Sequence, residues 1–328
     1  MEYNIRFTLD NELKEYFNDF NKYYLNSEYF NSTDEELKLI YKKRIDGLKQ
    51  GDKLGDTGMH ILEIPGRKVV RTTKQDYIIK CPLCLNPQND KTIYPYNLEK
   101  LLLWRGYLMK PNTFPYFKMH YLIQSSDHVE NTDRGTQNEV HRNPLVIEDM
   151  LEFIKIMNVG SILFNGWVGN SLGHFHVHYT DTHFPIKTQI KKYSFQKEKI
   201  KTKDKSTILI YKDTEHNCKN FMFIKGKLIK NDAFKIFQHL NSIGLFYNLL
   251  FYFNKGQHFM FIFIRQKGHD ELNFNFGATH MSGLSTFGDN NLKLYKDNKN
   301  NFLQIIENYC SNTLIKVDEK MISNLFKN

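Results

Sequence analysis

The feature that most constrains this chain is the run Gly169-Asn170-Ser171-Leu172-Gly173-His174-Phe175-His176-Val177-His178-Tyr179. Side chains of a β-strand alternate between its two faces. The run therefore predicts a strand with His174, His176 and His178 on one face and Phe175, Val177 and Tyr179 packed on the other. Imidazoles spaced about 6–7 Å apart make poor core filler, but they serve well as metal ligands, nucleophile or acid catalyst. Gly169 and Gly173 allow close approach of a ligand, Asn170 and its neighbours expose backbone amides, and Ser171 adds a hydroxyl donor. That lead-in suits phosphate oxygens. A solvated polar edge, or a strand that only binds metal, would share the alternation without needing the glycines and serine.

At 328 residues the chain can bury a core without disulfides or obligate oligomerisation. Its composition, 41% hydrophobic and 25% charged, is that of a globular protein rather than a disordered or fibrous one. The four cysteines are too few and too scattered for a small secreted scaffold, which points to a cytoplasmic or other reducing compartment. The first ten residues lack the form of a signal peptide, and the strongest apolar run, Phe259–Ile264, stops at Arg265, too short to span a bilayer. No membrane association is expected. Net charge is +9, concentrated after the histidine run: residues 187–205 hold eight lysines against Glu198 and Asp204. Such a segment could steer nucleotides or RNA, or serve as a solvated connector or a lid.

Patterning divides the chain into four parts. Residues 1–58 form a helical extension: Leu13, Tyr16, Phe17, Phe20 and Tyr24, then Leu37, Ile40, Tyr41 and Ile45, recur at helical spacing, and Gly47 to Gly58 reads as loop. Residues 59–190 form a catalytic unit with strands at 59–64, 68–71, 77–79, 101–109, 118–124 and 162–164. Its helix begins at Pro144 and carries Leu145, Ile147, Met150, Leu151, Ile154 and Met157. Residues 191–206 form the lysine-rich connector. Residues 207–328 form a second α+β unit: strands at 207–211 and 221–224, a helix over 232–243, a hairpin around Asn254-Lys255-Gly256-Gln257, and closing helices at 301–309 and 319–326. The fold class is α+β, an antiparallel sheet with flanking helices, with the two units related to one another.

Three segments carry a family resemblance: the Cys81-Pro82-Leu83-Cys84 pair, the stretch from Asn112 through Lys118 and His120 to Ser125-Ser126-Asp127-His128, and Gly169–His178. In that order, with the long helix between the last two, the chain resembles the histidine-triad superfamily. The branch it looks like contains galactose-1-phosphate uridylyltransferase, diadenosine tetraphosphate phosphorylase and GDP-hexose phosphorylase. The likeness covers about residues 61–190 and implies a histidine-triad-like antiparallel sheet.

For individual residues, the resemblance implies that His176 is a nucleophile forming a nucleotidyl-histidine intermediate on a nucleoside diphosphate sugar or dinucleoside polyphosphate. Ser171 and nearby amides would stabilise charge on the phosphate, with Gly169, Asn170, Gly173, Lys118 and His178 contacting substrate. It also implies a structural zinc on Cys81, Cys84, His128 and His174 and no organic cofactor; a CxxC pair by itself is a weak metal signal. His178 departs from the branch, where glutamine is usual. Histidine there is characteristic of the nucleotide hydrolases and can donate a proton. A hydrolase of dinucleoside polyphosphates or capped RNA, and an inactive nucleotide- or RNA-binding protein, are the alternatives. A phosphate-containing nucleotide is the expected partner; RNA along the basic segment and a homodimer stay open.

Overall fold

Strands rich in Phe, Ile and Tyr are stable only when their apolar face is covered, and most such segments of this chain share one sheet. The computed structural model describes residues 6–7, 9–15, 39, 42–43, 45–53, 59–64, 102–112, 115–125, 143–166, 174–192, 197–212, 214, 220–265, 277–298, 300, 304, 308 and 314–326. Early elements are β1 (Arg6–Phe7), β2 (Lys49–Lys53), β3 (His60–Glu63), β4 (Leu102–Trp104), β5 (Tyr107–Pro111) and β6 (Tyr121–Ser125). Then come α1 (Pro144–Met157), β7 (Ser161–Asn165), β8 (His176–Thr180), α2 (Ile186–Gln189), β9 (Lys197–Lys201), β10 (Thr207–Tyr211) and β11 (Phe221–Gly226). The chain continues through α3 (Lys230–Ser242), β12 (Phe246–Asn254), β13 (Gln257–Arg265), α4 (Ala278–Met281), β14 (Leu284–Phe287), α5 (Asp289–Asp297) and α6 (Glu319–Asn324).

Eleven strands lie side by side in the order β1-β4-β5-β6-β8-β7-β12-β13-β11-β10-β9. Pairing is antiparallel except between β1 and β4. The run β4-β5-β6-α1-β7-β8 is followed by β9-β10-β11-α3-β12-β13, and the lateral order reads alike outward from the β7–β12 seam. Two tight hairpins rest on positive φ at both central residues: Arg105–Gly106 (48° and 81°) and Lys255–Gly256 (50° and 73°). Turns of that kind match the right-handed twist of the flanking strands.

The helices cover the sheet face opposite the histidines. Helix α1 starts on an Asn143 cap whose side chain accepts from Leu145 N, with Pro144 in the first turn, and ends at Asn158 in the left-handed region (φ 54°). It buries Phe153 edge-on against Trp104 (5.7 Å) and Tyr179 (5.2 Å). Helix α3 stacks Phe237 on Tyr247 at 4.6 Å and 13°.

On the histidine face, residues 277–287 close over the seam. Asn165 and Asn248 face each other across it. Asn165 Oδ1 accepts from Ala278 N (2.7 Å) and Asn248 Oδ1 from Gly166 N (3.2 Å). A Cβ at Gly277 would stand 2.6 Å from Asn165 Oδ1, and one at Gly166 would stand 2.2 Å from Tyr247 O, so glycine is required at both close approaches. Strand β14 then pairs in parallel with β3, and β2 completes a small second sheet.

Several sequence expectations need correction. The single strand expected over 101–109 is the β4–β5 hairpin, because Arg105–Gly106 turns the chain. The stretch from Gly47 to Gly58, expected as loop, supplies β2 through pairing with β3. Within the 191–206 connector, Lys197–Lys201 is an edge strand on β10. The two α+β units share one sheet through β7 and β12, and α4, β14 and α5 were not anticipated. The strands expected at 68–71 and 77–79, most of the first helix and nearly all of the 301–309 helix lie outside the described residues.

Phe153 is fully buried at the junction of α1 with both ends of the first strand run. Phe153→Ala is predicted to lower unfolding stability by about 3–5 kcal/mol, read from the urea midpoint; a loss under about 1 kcal/mol would mean that α1 is not seated there.

Candidate active site

The register of β8 decides which groups meet. Leu122 lies opposite His178 and Gln124 opposite His176 on β6, while Leu163 of β7 flanks His178 from the other side. His176 and His178 therefore share one face, as the alternation predicts. His176 is buried, His178 partly exposed, and their rings stand 5.3 Å apart at 76°. His174 precedes the paired strand and turns elsewhere: its Nε2 sits 2.8 Å from Ser125 O and 3.1 Å from Ser125 Oγ. The expected single face of three imidazoles is a face of two plus a third docked on β6.

A fourth imidazole completes the group. His120, fully buried just before β6, places Nε2 2.8 Å from His178 Nδ1. The backbone N–H of Tyr116 donates to His120 Nδ1 at 2.9 Å. That nitrogen must then carry a lone pair, so neutral His120 bears its proton on Nε2 and donates it to His178 Nδ1. Neutral His178 in turn holds its own proton on Nε2. Asn112 Nδ2 lies 3.2 Å from His120 Nε2; two donors cannot face each other, so with this tautomer the amide is assigned turned over, its oxygen toward the ring. Tyr116 also stacks on His178, at 6.5 Å and 29°.

His176 is fixed by a different bond. Its Nδ1 lies 2.8 Å from the backbone oxygen of His174. A carbonyl only accepts, so Nδ1 carries the proton and the lone pair of the neutral ring falls on Nε2. One backbone carbonyl and one backbone amide thus set opposite tasks for adjacent rings: a lone pair on His176 Nε2 and a proton on His178 Nε2.

Burial holds His120 and His178 neutral. It pulls His120 down to about 3 from the ordinary imidazole value. Burial, followed by the neighbouring His120 and His176, holds His178 well below that value as well.

Of the other expected site residues, Lys118 is exposed on the bend before β6, outside the hydrogen bonds that join the imidazoles among the described residues. Gly169, Asn170, Ser171 and Gly173, and the expected zinc ligands Cys81, Cys84 and His128, lie outside the described residues. Among the described residues no group of three or more His, Cys, Asp or Glu is placed to hold a metal, and His174 Nε2 is satisfied by Ser125. Ser125 is, however, only three residues before His128 in the chain. Arg265 and His280 of the second half are buried, His280 Nε2 lying 3.2 Å from Thr286 Oγ1. The His120–His178 partnership depends on the β6–β8 register, and no local spacing encodes that.

No protein-family model and no curated protein matches the chain by sequence. Solved structures do match it in shape. Yeast Ap4A phosphorylase Apa2 superposes with a TM-score of 0.50 at 11% identity over 94% of this chain and 95% of that one. The same enzyme in complex with Ap4A gives 0.50 at 12% identity, over 92% and 97%. The chain shares that fold, a large antiparallel sheet flanked by helices. At this identity the likeness is one of architecture, and it extends across both strand runs.

The unfolded chain protonates His120 and His178 near pH 6.5, while the folded protein holds both neutral, His120 down to about 3. Below pH 6.5 the unfolded state therefore binds more protons. The stability conferred is complete above that pH and is lost as pH falls toward 3. Urea midpoints are predicted to fall between pH 7 and pH 4, by up to about 1.4 kcal/mol per pH unit for each ring, and less steeply in His120→Gln. Equal slopes for the two proteins would show that His120 does not carry the effect.

Proposed function

We propose that this protein is an enzyme that transfers a nucleotidyl group through a covalent intermediate on His176. Nδ1 of His176 donates to His174 O, and this observation carries the reading, since it leaves the lone pair on the nitrogen that must attack. His176 Nε2 attacks the phosphorus, a P–N bond forms and the P–O bond to the leaving phosphate breaks. His178, neutral with its proton on Nε2 and its Nδ1 accepting from His120, keeps that proton and hydrogen-bonds the leaving oxygen or a phosphate oxygen beside it, and the leaving group departs as the phosphate anion. An acceptor oxygen then attacks the same phosphorus and the P–N bond breaks, returning His176 to its starting state. Ser171, with the amides around Gly169, Asn170 and Gly173, stabilises charge on the non-bridging oxygens, and Lys118 approaches the outer phosphates.

Dinucleoside polyphosphates and nucleoside diphosphate sugars are the substrate classes. Supporting this is a fold shared with a phosphorylase of Ap4A across nearly the whole chain, together with the histidine geometry. The mirrored element order supports reading the two strand runs as related units. Water as acceptor is the second reading, favoured by one observation: the residue beside the nucleophile is a proton-bearing histidine held in place by another histidine.

To test this, the purified protein is incubated with substrates labelled on the α-phosphate and quenched in alkali. An acid-labile, alkali-stable adduct is expected, absent in His176→Ala, whose turnover falls by about 10³-fold or more. An adduct that persists in that variant rejects the nucleophile. Product formed only with added phosphate or sugar phosphate identifies transfer, and steady release without them identifies hydrolysis.

The zinc site is a separate part of the reading. Zinc on Cys81, Cys84, His128 and His174 would pin three distant segments and hold the chain before His176, and a ligand-saturated site of that kind is structural. Protein purified without chelators should contain about one zinc per chain, lost together with several degrees of melting temperature in Cys84→Ser. Metal-free protein with unchanged melting would end this part of the proposal and leave the nucleophile standing.

A further inference from the structure

A cavity of about 640 Å³ opens between α2 and the sheet, over the second strand run. Its walls are aromatic but covered. Tyr252 and Phe259 stack on each other across β12 and β13 at 4.8 Å and 8°, Lys187 stands 4.5 Å over the Tyr252 ring, and Phe223 is buried. A planar ligand therefore finds no open ring face there. What the cavity does offer is ammonium groups.

Lys187, Lys191, Lys225 and Lys255 line it together with His183. Among the described residues no carboxylate lines the cavity or pairs with any of the four lysines. They come from α2 and the turn after it, from β11 and from the β12–β13 turn, so they stand around the cavity on several sides. Cations gathered without counter-charge repel one another, and the apolar walls beside them weaken the screening that water would provide. Lys187 feels this most. Its ammonium has exchanged water for one carbonyl, Gly160 O at 3.4 Å, and a ring face, and burial pulls it down to about 8. An anion in the cavity would relieve both the repulsion and the lost solvation.

The sheet register sets the length of that anion. Lys225 lies opposite Phe259, and Phe259 opposite Tyr252, which Lys187 covers. Two strand spacings, about 10 Å, therefore separate the backbone of Lys225 from that of Tyr252. One tetrahedral anion satisfies one side of such a cavity, whereas a chain of phosphates presents oxygens to both. The positive surface also continues outward. Lys199 lies opposite Leu209, whose side chain lines the cavity, and Lys201 opposite Thr207, so both belong to the same face, and both are exposed. Glu198, the one acid of β9, is on the opposite face, paired with Lys212 at 2.7 Å.

We propose that this cavity binds a linear oligophosphate, tripolyphosphate or longer, free or as the tail of a larger molecule, held by Lys187, Lys191, Lys225 and Lys255. Ammonium groups on several sides, with no acid among them and no open ring, select a ligand by repeated negative charge rather than by a flat apolar part. The site is independent of the His176 chemistry and does not rest on it.

The test is isothermal titration calorimetry of the full chain with sodium tripolyphosphate in magnesium-free buffer at low salt. A saturable site is expected, at least about tenfold tighter than for orthophosphate and weakened by added salt. Lys187→Gln/Lys225→Gln should weaken it by about tenfold or more. Lys225→Gln/Lys255→Gln, which leaves Lys187 on its ring, should do the same. Lys203→Gln/Lys205→Gln removes equal charge from the exposed β9–β10 turn and should change affinity by less than about twofold, with thermal melting confirming that each variant is folded. His176→Ala should bind as the parent does. Adenosine triphosphate binding as tightly as tripolyphosphate would extend the site to the tail of a larger molecule, and its exclusion would restrict the site to the free chain. The proposal is overturned by absence of binding at low salt, by orthophosphate binding as tightly, or by equal losses in the cavity and turn variants. A loss in His176→Ala matching that in the cavity variants would assign the binding to the histidine site and overturn it as well.

Discussion

The pairing of β7 with β12 is the contact on which the rest of the arrangement depends. Each strand run by itself would end in an exposed edge at that point, a row of unpaired backbone donors and acceptors. Asn165 opposite Asn248, Phe164 opposite Leu249 and Leu163 opposite Leu250 satisfy both edges at once. Because the pairing is direct and antiparallel, side-chain faces stay in register across the seam. The histidines of β8 and the phenylalanines of β13 therefore emerge on the same side, while α1 and α3 cover the other. Residues 277–287 lock this geometry from the histidine side, and the two asparagines that bond them are themselves seam residues.

Within that frame the histidine group trades solvation for orientation. Taking imidazoles out of water disfavours their charged forms, and here the cost is accepted for His120 and His178 because each neutral ring has a defined partner. One N–H from Tyr116 fixes the whole series, since neutral imidazole has one donor and one acceptor nitrogen and each assignment forces the next. His176 is set separately by a carbonyl two residues earlier in its own chain. Two backbone groups with opposite polarity thus prepare a lone pair and a proton side by side, without a carboxylate in the hydrogen bonds described.

Local pattern made much of the fold legible. Pro144 followed by apolar residues at helical spacing marks α1, and the alternation from His174 to Tyr179 marks β8 and its polar face. Lys255-Gly256 between two aromatic-rich runs marks the β12–β13 hairpin. What failed did so where long-range pairing outweighs local preference. Lys49–Lys53, with a glycine at its centre, reads as loop and becomes a strand only because β3 is beside it. The lysines of β9 read as a solvated connector, yet lysines alternating with Glu198 and Ile200 suit an edge strand whose charges discourage further pairing. His120 was visible as a residue and invisible as a partner, because fifty-eight positions separate it from His178.

The mirrored runs also explain how one sheet face carries two different sets of side chains. Equivalent positions about the seam meet equivalent backbone, so their difference lies in side chains. On β8, alternate imidazoles set ring nitrogens side by side, and His174 O together with the bend before β6 fixes their protons. On β13, alternate phenylalanines pack ring against ring, Phe261 and Phe263 standing 6.3 Å apart at 7°. Fixing a proton demands burial and defined hydrogen bonds, which is what His120 and His176 have. A packed aromatic layer demands neighbours on every side instead, which is what the fully buried Phe261 and Phe263 have. The two demands conflict at any single position, and a duplicated order of strands lets the sheet meet each in a separate half.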